Sequence, residues 1–214
     1  MLSYAALACV TVASAGDGWD NRIVATLSVP KLTERDYLTI ERAADYKSEF
    51  VAGEMYAMSG GTPRHSYIGL SASSHLKQQT RGSNCKTFNS DLRIRAHSGD
   101  YFYPDAFVVC GPLQMHEGSK DVCINPMLIL EVLSPSTAAY DKGLKFKLYR
   151  TIPTLKDYIM VHFDSVYVEH YTRQPDDSWA LREYSGEAAL VPLPNINCAL
   201  SLAAIYEDAM DLPG

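Results

Sequence analysis

Apolar residues change their spacing from segment to segment along this chain, and each spacing predicts an element. Thr33 followed by Asp36 reads as a helix N-cap with an acidic third position, opening a short helix towards Ala44. Phe50, Val51 and residues 55–58 flank Ala52-Gly53, the pattern of a hairpin or bulged strand carrying Glu54, and Gly60-Gly61-Thr62-Pro63 stops it. Over residues 64–79, Ile68, Ala72 and Leu76 recur at every fourth position, which predicts an amphipathic helix with His65 in its first turn and its apolar face on a sheet. Residues 85–96 then alternate, with Leu92 and Ile94 on one face and Asp91, Arg93 and Arg95 on the other, as in a half-buried strand. Asp100 turns the chain into a second strand, 101–110, which Gly111-Pro112 ends.

Residues 127–133, Met-Leu-Ile-Leu-Glu-Val-Leu, form a continuous apolar run with one carboxylate inside it, the profile of a central strand covered on both faces. Ser134-Pro135-Ser136-Thr137 breaks the strand and offers capping hydroxyls to a helix running to about Arg150, on which Leu144 and Leu148 can pack inward. Residues 158–163 and 166–171, joined at Asp164-Ser165, read as a hairpin; 179–184 add a strand, and a short helix over 202–210 closes the chain. The order mixes strands and helices without strict βαβ alternation, so the expected fold is α/β in the broad sense, a mixed central sheet flanked by helices. One domain over 30–214 is expected, preceded by an irregular N-terminal extension, 1–29. That extension ends its apolar stretch in Ala13-Ser14-Ala15 but has no Lys or Arg before it, which weakens a signal-peptide reading.

Composition changes this picture little. An apolar share of 47% with 21% charged residues suits a globular chain able to bury a core, and no later stretch is apolar enough to span a bilayer. The net charge of −6 argues against tight, non-specific binding to nucleic acid while suiting a protein that holds several carboxylates. Five cysteines lie in no zinc-like spacing with the six histidines, and read as reduced thiols packed as small hydrophobes, pointing to the cytoplasm.

Glu131 is the most informative residue, because an ionised carboxylate inside an apolar strand costs several kcal/mol unless cations or donors compensate it. A buried pair with Arg93 or Arg95 is one solution. Asp105, after Pro104 and before Phe107-Val108-Val109, offers another: two carboxylates from neighbouring strands make a site for a hard divalent cation such as Mg²⁺ or Mn²⁺. Alone, Pro104-Asp105 would read as an ordinary turn entering a strand.

Tyr103-Pro104-Asp105, then residues 130–136, Leu-Glu-Val-Leu-Ser-Pro-Ser, then Asp141-Lys142-Gly143-Leu144-Lys145 together resemble the Uma-two family, endonuclease-type proteins of the PD-(D/E)xK superfamily. Gly53-Glu54 before a Met-Ser-Gly-Gly segment, His65, residues 90–93 and Tyr149 extend the resemblance over about residues 32–160. It implies a restriction-endonuclease-like core and metal-dependent cleavage of nucleic acid, DNA rather than RNA. Asp105 and Glu131 would be metal ligands, with the Val132 carbonyl as a third. The lysine usual two residues after the second acid is absent, since that position is Leu133; the resemblance points to Lys145 on the following helix, with Lys142 as the alternative. Asp141, Lys145 and Tyr149, four residues apart, share a helix face. Glu54 and Asp91 would add acids to the pocket, Asp91 as a further ligand, and His65 would orient water or contact phosphate. Cutting both strands of a duplex would favour a homodimer. Two other classes fit the same residues: a silent nuclease-fold interaction module, and a metal-independent acid–base hydrolase using Glu131 with Glu54 or Asp105.

Overall fold

The computed structural model describes residues 30–214, so the expected N-terminal extension, 1–29, lies outside the described residues. Thr33 caps α1 (Glu34–Ala43) through a reciprocal capping box with Asp36. Two short strands follow, β1 (Ser48–Val51) and β2 (Glu54–Ala57), paired as a hairpin. Ala52 and Gly53 both take positive φ at its turn, +52° and +87°, as a twisted two-residue connection requires. Thr62 and Pro63 then open α2 (Pro63–Gln79), which buries Ile68, Ala72 and Leu76 as the four-residue spacing predicted.

Where the sequence reads two long strands, the chain instead switches between two sheets. The expected strand over 85–96 is β3 (Cys85–Asn89) and β4 (Arg93–Arg95), and the expected strand over 101–110 is β5 (Tyr101–Phe102) and β6 (Ala106–Cys110). Pro104 has no N–H to give to a ladder, and it lies in the second crossing. β7 (Val122–Cys123) lies between Gly111-Pro112 and residue 127, where the apolar pattern predicts no element. The rest follows the pattern: β8 (Leu128–Leu133), β9 (Asp157–His162), β10 (Tyr167–Arg173), β11 (Trp179–Ser185), a small hairpin of β12 (Leu190–Leu193) with β13 (Cys198–Ser201), and α5 (Leu202–Tyr206).

One sheet has the order β11-β10-β9-β8-β6-β3, antiparallel except for the β8–β9 pair; the other is β2-β1-β5-β4-β7. β8 is central, and all six of its residues are buried. Its even positions, Leu128, Leu130 and Val132, pack with α2, α5 and the β12–β13 hairpin; its odd apolar positions, Ile129 and Leu133, pack with Ile94, Phe102, Tyr149 and Met160 on the opposite side. Two covered faces are the reason for the unbroken apolar run. A third cluster, Tyr37, Phe50, Tyr101 and Val122, seats α1 on the second sheet.

Two corrections belong here. Cys85 and Cys110, opposite one another on β3 and β6, form a disulfide, so the five cysteines are not all separate thiols; Cys123 and Cys198 are free. The 25-residue separation carries no motif that announces the pair, and the argument for the cytoplasm, which rested on reduced thiols, loses its support. The helix expected to run to Arg150 is also irregular. It joins one α-turn, α3 (Ala138–Tyr140), to a π-turn (Asp141–Lys145) and then α4 (Phe146–Tyr149). The wider turn rotates Leu144 outward, 46% exposed, where inward packing was expected. No helix among the described residues is long and apolar enough to cross a membrane.

Candidate active site

β6 pairs antiparallel with β8 up to Ala106 opposite Leu130, and Asp105 lies one residue before β6, close enough to the Glu131 carboxyl to help raise it. Asp105 Oδ2 accepts the Val132 N–H at 2.8 Å, which fastens the end of the β5–β6 crossing to the central strand. On the other side of Val132, His65 Nε2 donates to the Val132 carbonyl at 2.8 Å and lies 3.7 Å from Asp105 Oδ2. Because α2 packs on β8, its first turn delivers His65 to this point.

Glu131 faces the other sheet. Its Oε1 accepts the Tyr149 hydroxyl at 2.7 Å and lies 2.9 Å from Lys145 Nζ. The same ammonium lies 2.9 Å from Glu49 Oε1 and 3.3 Å from Asp141 Oδ1. Glu49 also accepts the Tyr140 hydroxyl at Oε2, but its Oε1 has no directed hydrogen bond, so the approach of Lys145 is charge against charge. The π-turn turns both Asp141 and Lys145 inward, four residues apart. Such turns cluster at functional sites because they re-aim side chains without ending a helix.

The charges follow from burial. Burial pushes the Glu131 carboxyl up to about 8, against the opposing pull of Lys145 and with help from Asp141 and Asp105. Burial also raises Asp105, while His65, the Val132 N–H and Lys145 act the other way. Burial works against the Lys145 ammonium as well, but Glu131 and the neighbouring Glu49 and Asp141 prevail and hold it firmly protonated.

Of the sequence candidates, then, Asp105, Glu131, Val132, Lys145 and His65 converge. Glu54 and Asp91 do not. Glu54 is exposed on β2 and accepts from Tyr56, its near neighbour, while Asp91, 77% exposed, pairs with Lys47 at 2.9 Å. Lys142 turns away to Glu169, which His162 also contacts. Arg93 and Arg95, the alternative partners for Glu131, are engaged by Asp121 and Glu34. Ser134, Ser136 and Thr137 hydrogen-bond among themselves, and Thr137 makes no side-chain cap. Glu49 is the residue that sequence reading missed. Its signal was the same as that of Glu131, a carboxylate beside Phe50 and Val51 in a fully buried strand, but the strand begins at Ser48, earlier than the apolar pattern suggested.

Hard oxygen donors suit a divalent cation. Among the described residues the hydrogen bonds and ion pairs of the two strand acids fall on Asp105 Oδ2 and Glu131 Oε1, leaving Oδ1 and Oε2 for another partner. Three acids, Glu131, Glu49 and Asp141, lie within 3.3 Å of one ammonium, and Asp105 is near enough to Glu131 to raise its carboxyl; a divalent cation would favour the ionised form of these acids. The donor chemistry therefore fits such an ion. Among the described residues, however, no three His, Cys, Asp or Glu side chains form a ready cage, and the Val132 carbonyl is already taken by His65.

Residues 35–204 match the model of the Uma2 family, described as "Putative restriction endonuclease". The chain belongs to the Uma2 family. Two uncharacterized proteins of Synechocystis sp. (strain ATCC 27184 / PCC 6803 / Kazusa) are similar to it. One, slr1290, is 36% identical over 178 residues, 83% of this chain and 92% of that protein. The other, sll1609, is 38% identical over 168 residues, 78% and 94%. The crystal structure of "a putative nuclease belonging to DUF820" from Anabaena variabilis ATCC 29413 superposes with a TM-score of 0.69 at 18% identity, covering 83% of this chain and 99% of that one. That likeness establishes the architecture: this Uma2 chain has the restriction-endonuclease-like fold, a mixed α/β core with helices on its sheets.

Proposed function

We propose that this Uma2 protein is a Mg²⁺- or Mn²⁺-dependent endonuclease that hydrolyses phosphodiester bonds in nucleic acid, with DNA as substrate. The observation that carries the reading is that Asp105 accepts the N–H of Val132, the residue next to Glu131, while Glu131 itself meets the buried Lys145. Family membership and fold support it.

Asp105 and Glu131 would hold the cation. When bound, it supplies Lewis acidity towards a phosphodiester and the attacking water. Lys145 contributes a fixed positive charge where the transition state places negative charge on phosphate oxygens, in a site shielded enough for that charge to count. Tyr149 and Glu49 hold Glu131 and Lys145 in place through the contacts at 2.7 Å and 2.9 Å. His65, donating to the Val132 carbonyl, fixes the backbone between the two acids and presents the edge of its ring beside Asp105.

A second reading, a silent module with the nuclease fold, is favoured by one observation: Lys145 already contacts three of the acids. Two measurements separate the readings. The nuclease binds Mn²⁺ in calorimetric titration and nicks plasmid DNA only with metal, whereas absent Mn²⁺ binding together with absent cleavage would establish the module. Cleavage persisting in EDTA would instead indicate metal-free acid–base hydrolysis.

A further inference from the structure

Away from the acid cluster, Lys147, Arg150, Thr151, Arg173, Asp177 and Trp179 line an open notch of about 400 Å³. It joins the end of α4 to the turn between β10 and β11. Three cations face one carboxylate there, in a chain whose net charge is −6. Lys147 and Arg150 are exposed, and among the described residues neither head group has an acidic partner.

Arg173 is built in rather than draped on the surface. Its side chain is only 10% exposed, and Nη2 donates to the carbonyls of Arg150 and Ile152 at 2.6 and 3.1 Å. Its guanidinium stacks 5.0 Å over the Trp179 ring. Yet its one acid, Asp177, stands off at 3.5 Å, and Nε is buried with no acceptor. A fixed guanidinium charge that is incompletely compensated, flanked by two unpaired cations, is the chemistry that receives a phosphate.

We infer that this notch is a second phosphate-binding subsite, taking a backbone phosphate of the nucleic-acid strand that also enters the acid cluster; it rests on the nuclease reading above. The spacing suits such a strand. The Arg173 N–H bonds to the Lys156 carbonyl at the start of β9, and Met160, opposite Glu131, lies four residues further on. At about 3.3 Å per residue that is roughly 13 Å, or about four steps along one strand of a duplex at about 3.4 Å per nucleotide.

The test is the affinity of the full chain for a fluorescein-labelled single-stranded 12-mer, measured by anisotropy in EDTA over a series of salt concentrations. The comparison protein is Lys147→Glu/Arg150→Glu, substituted at two exposed sites and checked for an intact fold by circular dichroism. Binding should weaken at least tenfold, and the slope of log affinity against log salt should become shallower by about 1.4, the value for two phosphates on a single strand. Unchanged affinity and slope would overturn the subsite. So would inorganic phosphate or a mononucleotide competing as well as the 12-mer, which would make the ligand a free phosphate. No turnover is measured, so a chain that binds through this notch but cuts nothing refutes the nuclease reading alone.

Discussion

The ammonium of Lys145 and the carboxylate of Glu131 meet at 2.9 Å inside the protein, with 6% and 5% of their side chains exposed. Water cannot replace either partner there. Lys145→Met, assayed without metal and above pH 8 where Glu131 is ionised, leaves Glu131, Glu49 and Asp141 with no cation among them, and breaking a buried pair on one side costs about 3–5 kcal/mol. Urea denaturation should show a loss of that size, partly recovered when Glu131→Gln is added. A Lys145→Met protein as stable as the wild type would mean the acids are already neutral.

Glu49 and Glu54, five residues apart, make opposite predictions. Glu49 touches Lys145, whereas Glu54 is exposed and bonded to Tyr56. Glu49→Gln should lower cleavage roughly 10- to 100-fold, the usual effect of losing a group that orients a metal-site residue. Glu54→Gln should leave the rate unchanged. The reverse ranking would place Glu54, and not Glu49, in the working site.

Acid stability tests the second sheet. Asp121 accepts from Arg42 at 2.7 Å and from Arg93 at 3.0 Å, and these partners with Ser119 hold its carboxyl far below the usual range, against some burial. A carboxyl lowered in the folded state adds stability above its ordinary value of 3.8, and that stability is lost as pH falls below it. Asp121 is over a third exposed, so solvent screening limits the effect to about 1 kcal/mol or less. The urea midpoints of the wild type and Asp121→Asn should differ most near pH 7 and converge towards pH 2. A difference that persists at low pH would assign the effect to something other than this charge.

Glu131 and Lys145 mark how far sequence alone could go. A carboxylate in a six-residue buried strand announces its need for compensation, and Asp105, just before β6, is tied beside it through the Val132 N–H. Ile68, Ala72 and Leu76 likewise give α2 away by spacing alone. What stays hidden depends on three dimensions. The sheet switches near residues 90–92 and 103–105 preserve strand-like alternation on either side, so two strands read as one. The π-turn at Asp141–Lys145 has no composition signal, and it exposes Leu144. Asp91 sits in a strand-like pattern yet lies in a turn, free to reach Lys47, and Cys85 finds Cys110 only because β3 lies beside β6.

The most direct measurement is nicking of supercoiled plasmid by wild-type protein and by Glu131→Gln, each with Mn²⁺ and with EDTA. Glu131→Gln keeps the size of the side chain and removes the charge that pairs with Lys145 and would hold the proposed cation. Metal-dependent nicking by the wild type, abolished in Glu131→Gln, is the predicted result. Equal nicking by both proteins in Mn²⁺ would contradict an active site built on Glu131.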